Sequence, residues 1–389
     1  MAEFRLNATR SGDQHLPAAT AVLGVEYLVL WADEHDFTVK GRFVSAAGAV
    51  LGDEFTVGAQ PPGGAQVRPR WPSVLAAASH QFAVWLETPF SAPGRSSVRL
   101  QRFTDGHPAG PALTVTDEAD SDGRPALSSM IDGGVLVTWA GTRGDRRVRA
   151  RRFDSEGQPK GAELAVNTTE GFHLDPATTV LQGGDWVAAW TTDPHAIGGD
   201  RLNLRFFDFE GNALTGEIAP NVGDFQGVNA ITLLDSGQFV AATISHIAPS
   251  DLGKPQTTVK ANIFKTDGSR VVDFTAGDPR HFTRSAPALA HLPSGRFLMT
   301  WIEESADTFA TVPAVMAVVC AEDEGRLTEP VRVSSAASGG RFHTCAATTF
   351  GGDGETALVT WDDDAGLDGD TGLGVRGRTF TVVPPGTLL

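Results

Sequence analysis

Seven segments of this chain follow one template, and that repetition restricts the fold more than any other property of the sequence. The template opens on a proline in five of them, continues as a strand of small residues, turns at glycine and returns as an apolar strand ending in tryptophan. The segments run from Pro17 to Trp31, Pro72 to Trp85, Pro125 to Trp139, Pro176 to Trp190, Asn229 to Thr243, Pro287 to Trp301 and Cys345 to Trp361. Only Thr243 breaks the tryptophan rule. A recurrence every 51 to 60 residues predicts radial four-stranded units in place of independent domains. Residues 1–389 are therefore read as one domain, although length alone would suggest two or three.

After each tryptophan come a variable loop and a third strand in which a basic residue follows valine. Examples are Val39-Lys40-Gly41, Val98-Arg99-Leu100, Val148-Arg149-Ala150, Val259-Lys260-Ala261 and Val375-Arg376-Gly377. This alternation is the period-2 mark of a half-buried strand. A glycine turn leads to an outer strand of the Glu-Phe-x-Val type, as at Glu54-Phe55-Thr56-Val57 and Glu163-Leu164-Ala165-Val166. Four strands in each of seven units predict an all-β, seven-bladed β-propeller. Taper explains the residue types: the innermost strands crowd the axis and begin with Ala18, Ser73, Ala126, Ala177, Ala230, Ala288 and Ala346. The tryptophan, burying on the order of 150 to 250 Å², fills the widening gap between blades.

The last repeat stops at Thr379-Phe380-Thr381 without an outer strand, whereas Glu3-Phe4-Arg5-Leu6-Asn7 copies the outer-strand pattern Glu163 to Asn167. Residues 3–7 are thus expected to complete blade seven and close the ring, leaving no open sheet edge there.

The run from Trp361 to Arg376, with its Asp-Gly-rich loop and Val375-Arg376 strand, resembles propeller repeats of large bacterial hemolysin-type proteins. A similar propeller forms part of the bacterial aromatic alkylases of cylindrocyclophane assembly, which join resorcinol rings to alkyl chlorides. The resemblance covers nearly the whole chain and implies the fold. Those alkylases also carry an N-terminal calcium-rich domain with no counterpart here, and no catalytic position carries over residue by residue.

A net charge of −16 opposes nucleic acid and anionic membranes as partners. The basic run Arg146 to Arg152 reads as a solvated strand face. No apolar run reaches the ~18 residues of a membrane span, and Cys320 and Cys345 make neither a disulfide framework nor a metal knuckle. A monomer with free thiols is expected. With Met1 as native start the protein would be cytoplasmic; with a leader removed, it would be secreted.

In such a blade, the loops from second to third strand and from outer to next inner strand share one face around the pore. Ligands favour places where variable loops meet a rigid scaffold. Candidate catalytic residues there are His15, His173, His343, Asp175, Arg70 and Arg124, expected nearest the axis. Candidate ligand-binding residues are Trp71, Phe172, Phe225, His281, Arg284, Phe342, His35, His195 and His246. The three catalytic histidines could alternatively hold a transition metal. Asp364, Asp368 and Asp370 are a calcium candidate, departing from the EF-hand spacing.

Phosphate-loop, H-E-x-x-H, G-x-S-x-G and paired C-x-x-C motifs do not occur. The reading favoured is an enzyme of bacterial secondary metabolism acting on a small molecule over the pore, with cyclase, lyase or carbon-alkylating chemistry by histidine–carboxylate acid/base catalysis. The competing reading is a non-catalytic lectin or protein-interaction ring. It would require equivalent loop positions to repeat, and His15, Arg70, Gly123, Leu174, Gly227 and Ser285 do not.

Overall fold

The computed structural model describes residues 2–389 apart from 23–25, 59–65, 78–79, 143–146, 170, 194–200, 223–224, 248–255, 278–280, 284–286, 306–311, 336–338, 352–353, 367–368 and 385. The chain is a ring of seven antiparallel blades. Blade one runs Gln14–Val22, Glu26–Asp33, Thr38–Ser45 and Val50–Gly58 from axis to rim. The inner strands of the next five blades are Val67–Ala77, Ala126–Ser129, Phe172–Val180, Phe225–Leu233 and Ala288–Leu292. Blade four makes its outer edge through single bridges, Leu204 to Ile218 and Phe207 to Ala213. Blade seven consists of Arg341–Gly351, Gly354–Asp363, Gly374–Val383 and, as its outer strand, Phe4–Arg5. No helix of the described residues is long and apolar enough to cross a membrane.

The core is split into seven apolar clusters, one at each blade interface. Six hold the template tryptophan packed on the preceding blade: Trp31, Trp85, Trp139, Trp190, Trp301 and Trp361. A Cβ at Gly58, the end of blade one's outer strand, would collide with the Trp85 indole, so close approach of the blades demands glycine there. Thr243 leaves the interface between blades four and five without an indole, and phenylalanines fill it. Phe239 lies 6.0 Å from Phe206 and 5.4 Å from Phe264 between ring centroids.

The basic residue of the third strand sits directly opposite the tryptophan: Lys40 opposite Trp31, Arg99 opposite Trp85, Arg149 opposite Trp139 and Arg376 opposite Trp361. Its purpose shows at Trp85 and Trp361, where the acid two residues on pairs with the indole. The Trp85 indole N–H donates to Glu87 at 3.1 Å and Arg99 approaches the same carboxylate at 3.6 Å. Trp361, Asp363 and Arg376 repeat this at 3.0 and 3.3 Å. A large side chain is buried in this way without leaving its polar atom unpaired.

The ring closes as the sequence predicts. Phe4 and Arg5 pair antiparallel with Gly377 and Arg376, Leu6 N–H donates to Val375 O at 2.8 Å, and fully buried Leu6 joins the cluster between blades seven and one. An inter-blade clamp shows this strand to be a true repeat unit. Glu3 accepts from the Ser335 amide (2.9 Å), Glu54 from that of Ala8 (2.8 Å), and Glu217 from that of Thr169 (3.0 Å). Beside each acceptor an arginine donates to the same preceding strand: Arg378 to Val333 O, Arg42 to Leu6 O and Arg205 to Val166 O, at 3.1, 3.1 and 2.8 Å.

Candidate functional site at the axial mouth

The inner strands of blades one, two, four and seven start with a distortion that decides what faces the axis. Pairing with the second strand slips between His15 and Ala18, Arg70 and Ser73, Leu174 and Ala177, and Arg341 and Thr344. Proline sits inside the first three slips. Lacking an N–H it removes no ladder donor there, and it bars the preceding residue from the α-helical region. That residue adopts a left-handed backbone: φ is 58° at Leu16, 51° at Trp71 and 49° at Asp175. For such side chains this conformation costs on the order of 1 to 3 kcal/mol each, and it turns them into the pore.

Counting two residues back from Ala18, Ser73, Ala126, Ala177 and Cys345, each paired with the residue before its tryptophan, gives Leu16, Trp71, Arg124, Asp175 and His343 in blades one, two, three, four and seven. All five line one axial cavity of ≈ 260 Å³ on the loop-rich face. Below it the channel widens to ≈ 520 Å³ between small residues and the hydroxyls of Thr20, Ser128, Thr178, Thr232 and Thr348. Cys345 also lines the upper cavity, and burial pushes its thiol up, away from the reactive thiolate.

Four of these side chains, His343, Trp71, Arg124 and Asp175, form a connected arc. His343 Nδ1 lies 2.9 Å from Asp362 Oδ2, and Asp362 also accepts the amides of His343 and Leu16, both at 2.8 Å. Asp362 is fully buried. Burial pushes its carboxyl up, but His343 and the Leu16 amide outweigh that and hold it below the ordinary aspartate value. An ionised carboxylate can only accept, so Nδ1 carries a proton, and in the neutral form of the ring Nε2 would be the acceptor. Nε2 has no partner among the described residues. The His343 ring meets Trp71 edge-on at 5.3 Å, and the guanidinium of Arg124 lies 4.1 Å over the Trp71 ring. Asp175 follows from the next blade; burial raises its carboxyl and lowers the Arg124 guanidinium, and each charge partly offsets the shift of the other.

The remaining candidates lie elsewhere. His15 and Arg70, expected near the axis, do not line the cavity. His15 pairs with Glu34 at 3.2 Å, Arg68 reaches the same carboxylate at 3.3 Å, and Arg70 faces Asp122 at 3.7 Å. His173 corrects the expectation most sharply. It is 3 % exposed, held between Thr192 Oγ1 at 2.9 Å and Thr169 O at 3.0 Å. Its position matches those of Gln14 and Arg341, both fully buried, so the bulge aims that position into the blade. His35 is exposed beside Ser11 at 3.1 Å; Phe172 is half-buried and Phe342 exposed, neither on the cavity wall. The side chains of Phe225, His246 and His281, and His195, Arg284 and Asp368 entirely, lie outside the described residues.

The three-histidine metal arrangement is not formed by His15, His173 and His343, and among the described residues no three His, Cys, Asp or Glu side chains converge. Asp370, a calcium candidate, instead accepts from Arg5 (3.3 Å), Arg376 (3.2 Å) and Asn7 (3.3 Å), a cationic shell opposite to one that suits a metal ion. Asp364 accepts the Gly340 amide. Sequence reasoning missed the aromatic pair of Phe37 and Phe90 on neighbouring loops of blades one and two, 5.2 Å apart edge-to-face, with Arg68 5.3 Å above Phe90. It also missed Leu16 and Asp362; proline spacing could have found the first, and nothing in the sequence marked the second as the partner of His343.

No protein-family model matches the chain, and no curated protein matches its sequence. Solved structures do match. The BP39L lectin from Burkholderia pseudomallei aligns over 97 % of this chain and 98 % of its own, with 12 % identity and a TM-score of 0.61. An ulvan lyase of polysaccharide lyase family PL25 aligns over 95 % and 94 %, with 10 % identity and a TM-score of 0.59. A protein of unknown function from Dyadobacter fermentans aligns over 81 % and 95 %, with 12 % identity and a TM-score of 0.53. The likeness lies in the fold, a seven-bladed β-propeller that serves as a lectin in one of these proteins and as a lyase in another.

Proposed function

We propose that this propeller is an enzyme of bacterial small-molecule metabolism that moves a proton on a ligand held at the axial mouth, with His343 as general base and acid. The observation that carries the reading is the His343–Asp362 pair. A buried, ionised carboxylate fixes the ring and its proton on Nδ1, and Nε2 is left unpartnered at the cavity wall. Once Nε2 takes a proton, Asp362 stabilises the imidazolium, an arrangement worth roughly 10²- to 10⁴-fold in rate. Proton abstraction beside a carbonyl followed by elimination or ring closure, lyase or cyclase chemistry, uses this group directly.

A lectin-like ring would repeat its contacts from blade to blade, whereas the equivalent axial positions here are leucine, tryptophan, arginine, aspartate and histidine. That asymmetry suits a single ligand. The test is solvent-deuterium exchange, followed by mass spectrometry, into hexuronic acids, 2-hydroxy acids and the methyl esters of both. Wild type should exchange the C–H beside the carbonyl in at least one of them, and His343→Gln should lose at least 100-fold of that rate. Exchange that survives in His343→Gln, or no exchange in any compound, contradicts the proposal.

A further inference from the structure

Partner accounting around Arg124 indicates what kind of molecule the cavity takes. The Arg124 guanidinium is stacked on Trp71 at 4.1 Å, yet among the described residues it makes no hydrogen bond and no ion pair within 4.0 Å. Asp175, at the equivalent position of the neighbouring blade, is near enough to interact through space and is equally unbonded. A structural pair of this kind would close to 2.7–2.9 Å and share two parallel hydrogen bonds. Here the stacking holds the guanidinium away, so its five N–H donors and both carboxylate oxygens of Asp175 stay unspent at the wall of one cavity. Partly buried charges in that condition are matched to something outside the chain.

We propose that the axial cavity binds a small organic acid, its carboxylate on Arg124 and an adjacent hydroxyl or ammonium group donating to Asp175, with Trp71 as the positioning residue that keeps the guanidinium flat. The inference rests on the axial cavity being the ligand site, and it names the ligand class for that site. The planar fork of arginine matches a carboxylate bidentately, whereas lysine would act only as a point charge. The volume of ≈ 260 Å³ at the mouth lies below the usual range of ligand pockets, roughly 300 to 1,000 Å³, and suits a ligand of about one ring there. Leu16 and the first small residues of the inner strands give the apolar remainder of such a molecule its surface.

The test is titration calorimetry at low ionic strength with D-glucuronate, mandelate and lactate, each beside its own methyl ester. At least one acid should bind wild type with its ester at least tenfold weaker, and Arg124→Met should bring that acid down to its ester. Arg124→Lys should recover only part of the difference, and Trp71→Leu should weaken the acid several-fold without changing the ester. The inference is overturned if esters bind as well as acids, if Arg124→Met binds the acid like wild type while its melting curve is unchanged, or if no acid binds. Acid binding through Arg124 without deuterium exchange would sink the catalytic reading and leave this one standing. Exchange into an acid at wild-type rate in Arg124→Met would do the reverse.

Discussion

Two regions of this ring bury charge, and they treat it in opposite ways. At the closure, Asp370 accepts from Arg5, Arg376 and Asn7, and Arg376 also faces Asp363 and Glu3 at 3.3 and 3.8 Å. At the axial mouth Arg124, Asp175 and Nε2 of His343 line a cavity with no hydrogen-bond partner among the described residues. Burying a charge is tolerated when partners replace its water. The closure meets that condition from within the chain, and the mouth leaves it to a ligand. The contrast separates scaffold from site without any appeal to which residue types look catalytic: His173, bonded on both nitrogens, belongs with the scaffold, and Arg124 belongs with the site.

Removing the closing strand attacks the scaffold side hardest. Truncating residues 1 to 8 removes buried Leu6 from its cluster, removes a sheet edge pairing and takes Arg5 and Asn7 from Asp370 and Glu3 from Arg376, so a loss on the order of 5 kcal/mol or more is expected in chemical denaturation. Asp370→Ala alone should cost about 3 to 5 kcal/mol, because it leaves the buried Arg376 short of a counter-charge; a loss under about 1 kcal/mol would show that the network is decoration.

The inter-blade clamp gives a smaller, pH-dependent effect. Burial pushes the Glu217 carboxyl up, but the amides and hydroxyls of Thr168 and Thr169 prevail and hold it at about 2. A carboxyl lowered in the folded state adds stability above its ordinary value of 4.5, and that contribution fades as pH falls from there through about 2. Between those limits the melting temperature of wild type should fall more steeply than that of Glu217→Gln. Parallel curves would mean the clamp carries no linked proton.

At the small end, Arg124→Met should leave stability within about 0.5 kcal/mol of wild type or raise it, since the side chain gives up water and stacking but no hydrogen bond.

The fold was legible because its rules are local and repeated. Trp31, Trp85 and their equivalents appear at fixed distances from a proline and a small residue, and Glu3 to Asn7 copies Glu163 to Asn167 within a single stretch of chain. The mouth was legible only in part. Arg124, Asp175 and His343 stood close enough to strand starts to be chosen, but His15, Arg70 and His173 were chosen on the same ground. The left-handed backbone at Leu16, Trp71 and Asp175 fixes which residue turns inward, and a shift of one position sends a side chain away from the cavity or into the blade. Asp370 looked like a metal ligand for a related reason: Arg5, which neutralises it, lies 365 residues away in sequence. The first misreading turns on backbone geometry, and the second on a partner that only the closed ring brings near.

The most direct test of the contrast is to melt Arg124→Met and Asp370→Asn beside wild type under identical conditions without added ligand. The account predicts that Asp370→Asn melts several degrees lower while Arg124→Met melts at or above the wild-type temperature. An Arg124→Met protein that falls as far as Asp370→Asn would show that the arginine at the mouth is part of the framework, and the distinction between spent and unspent charge would not locate the site.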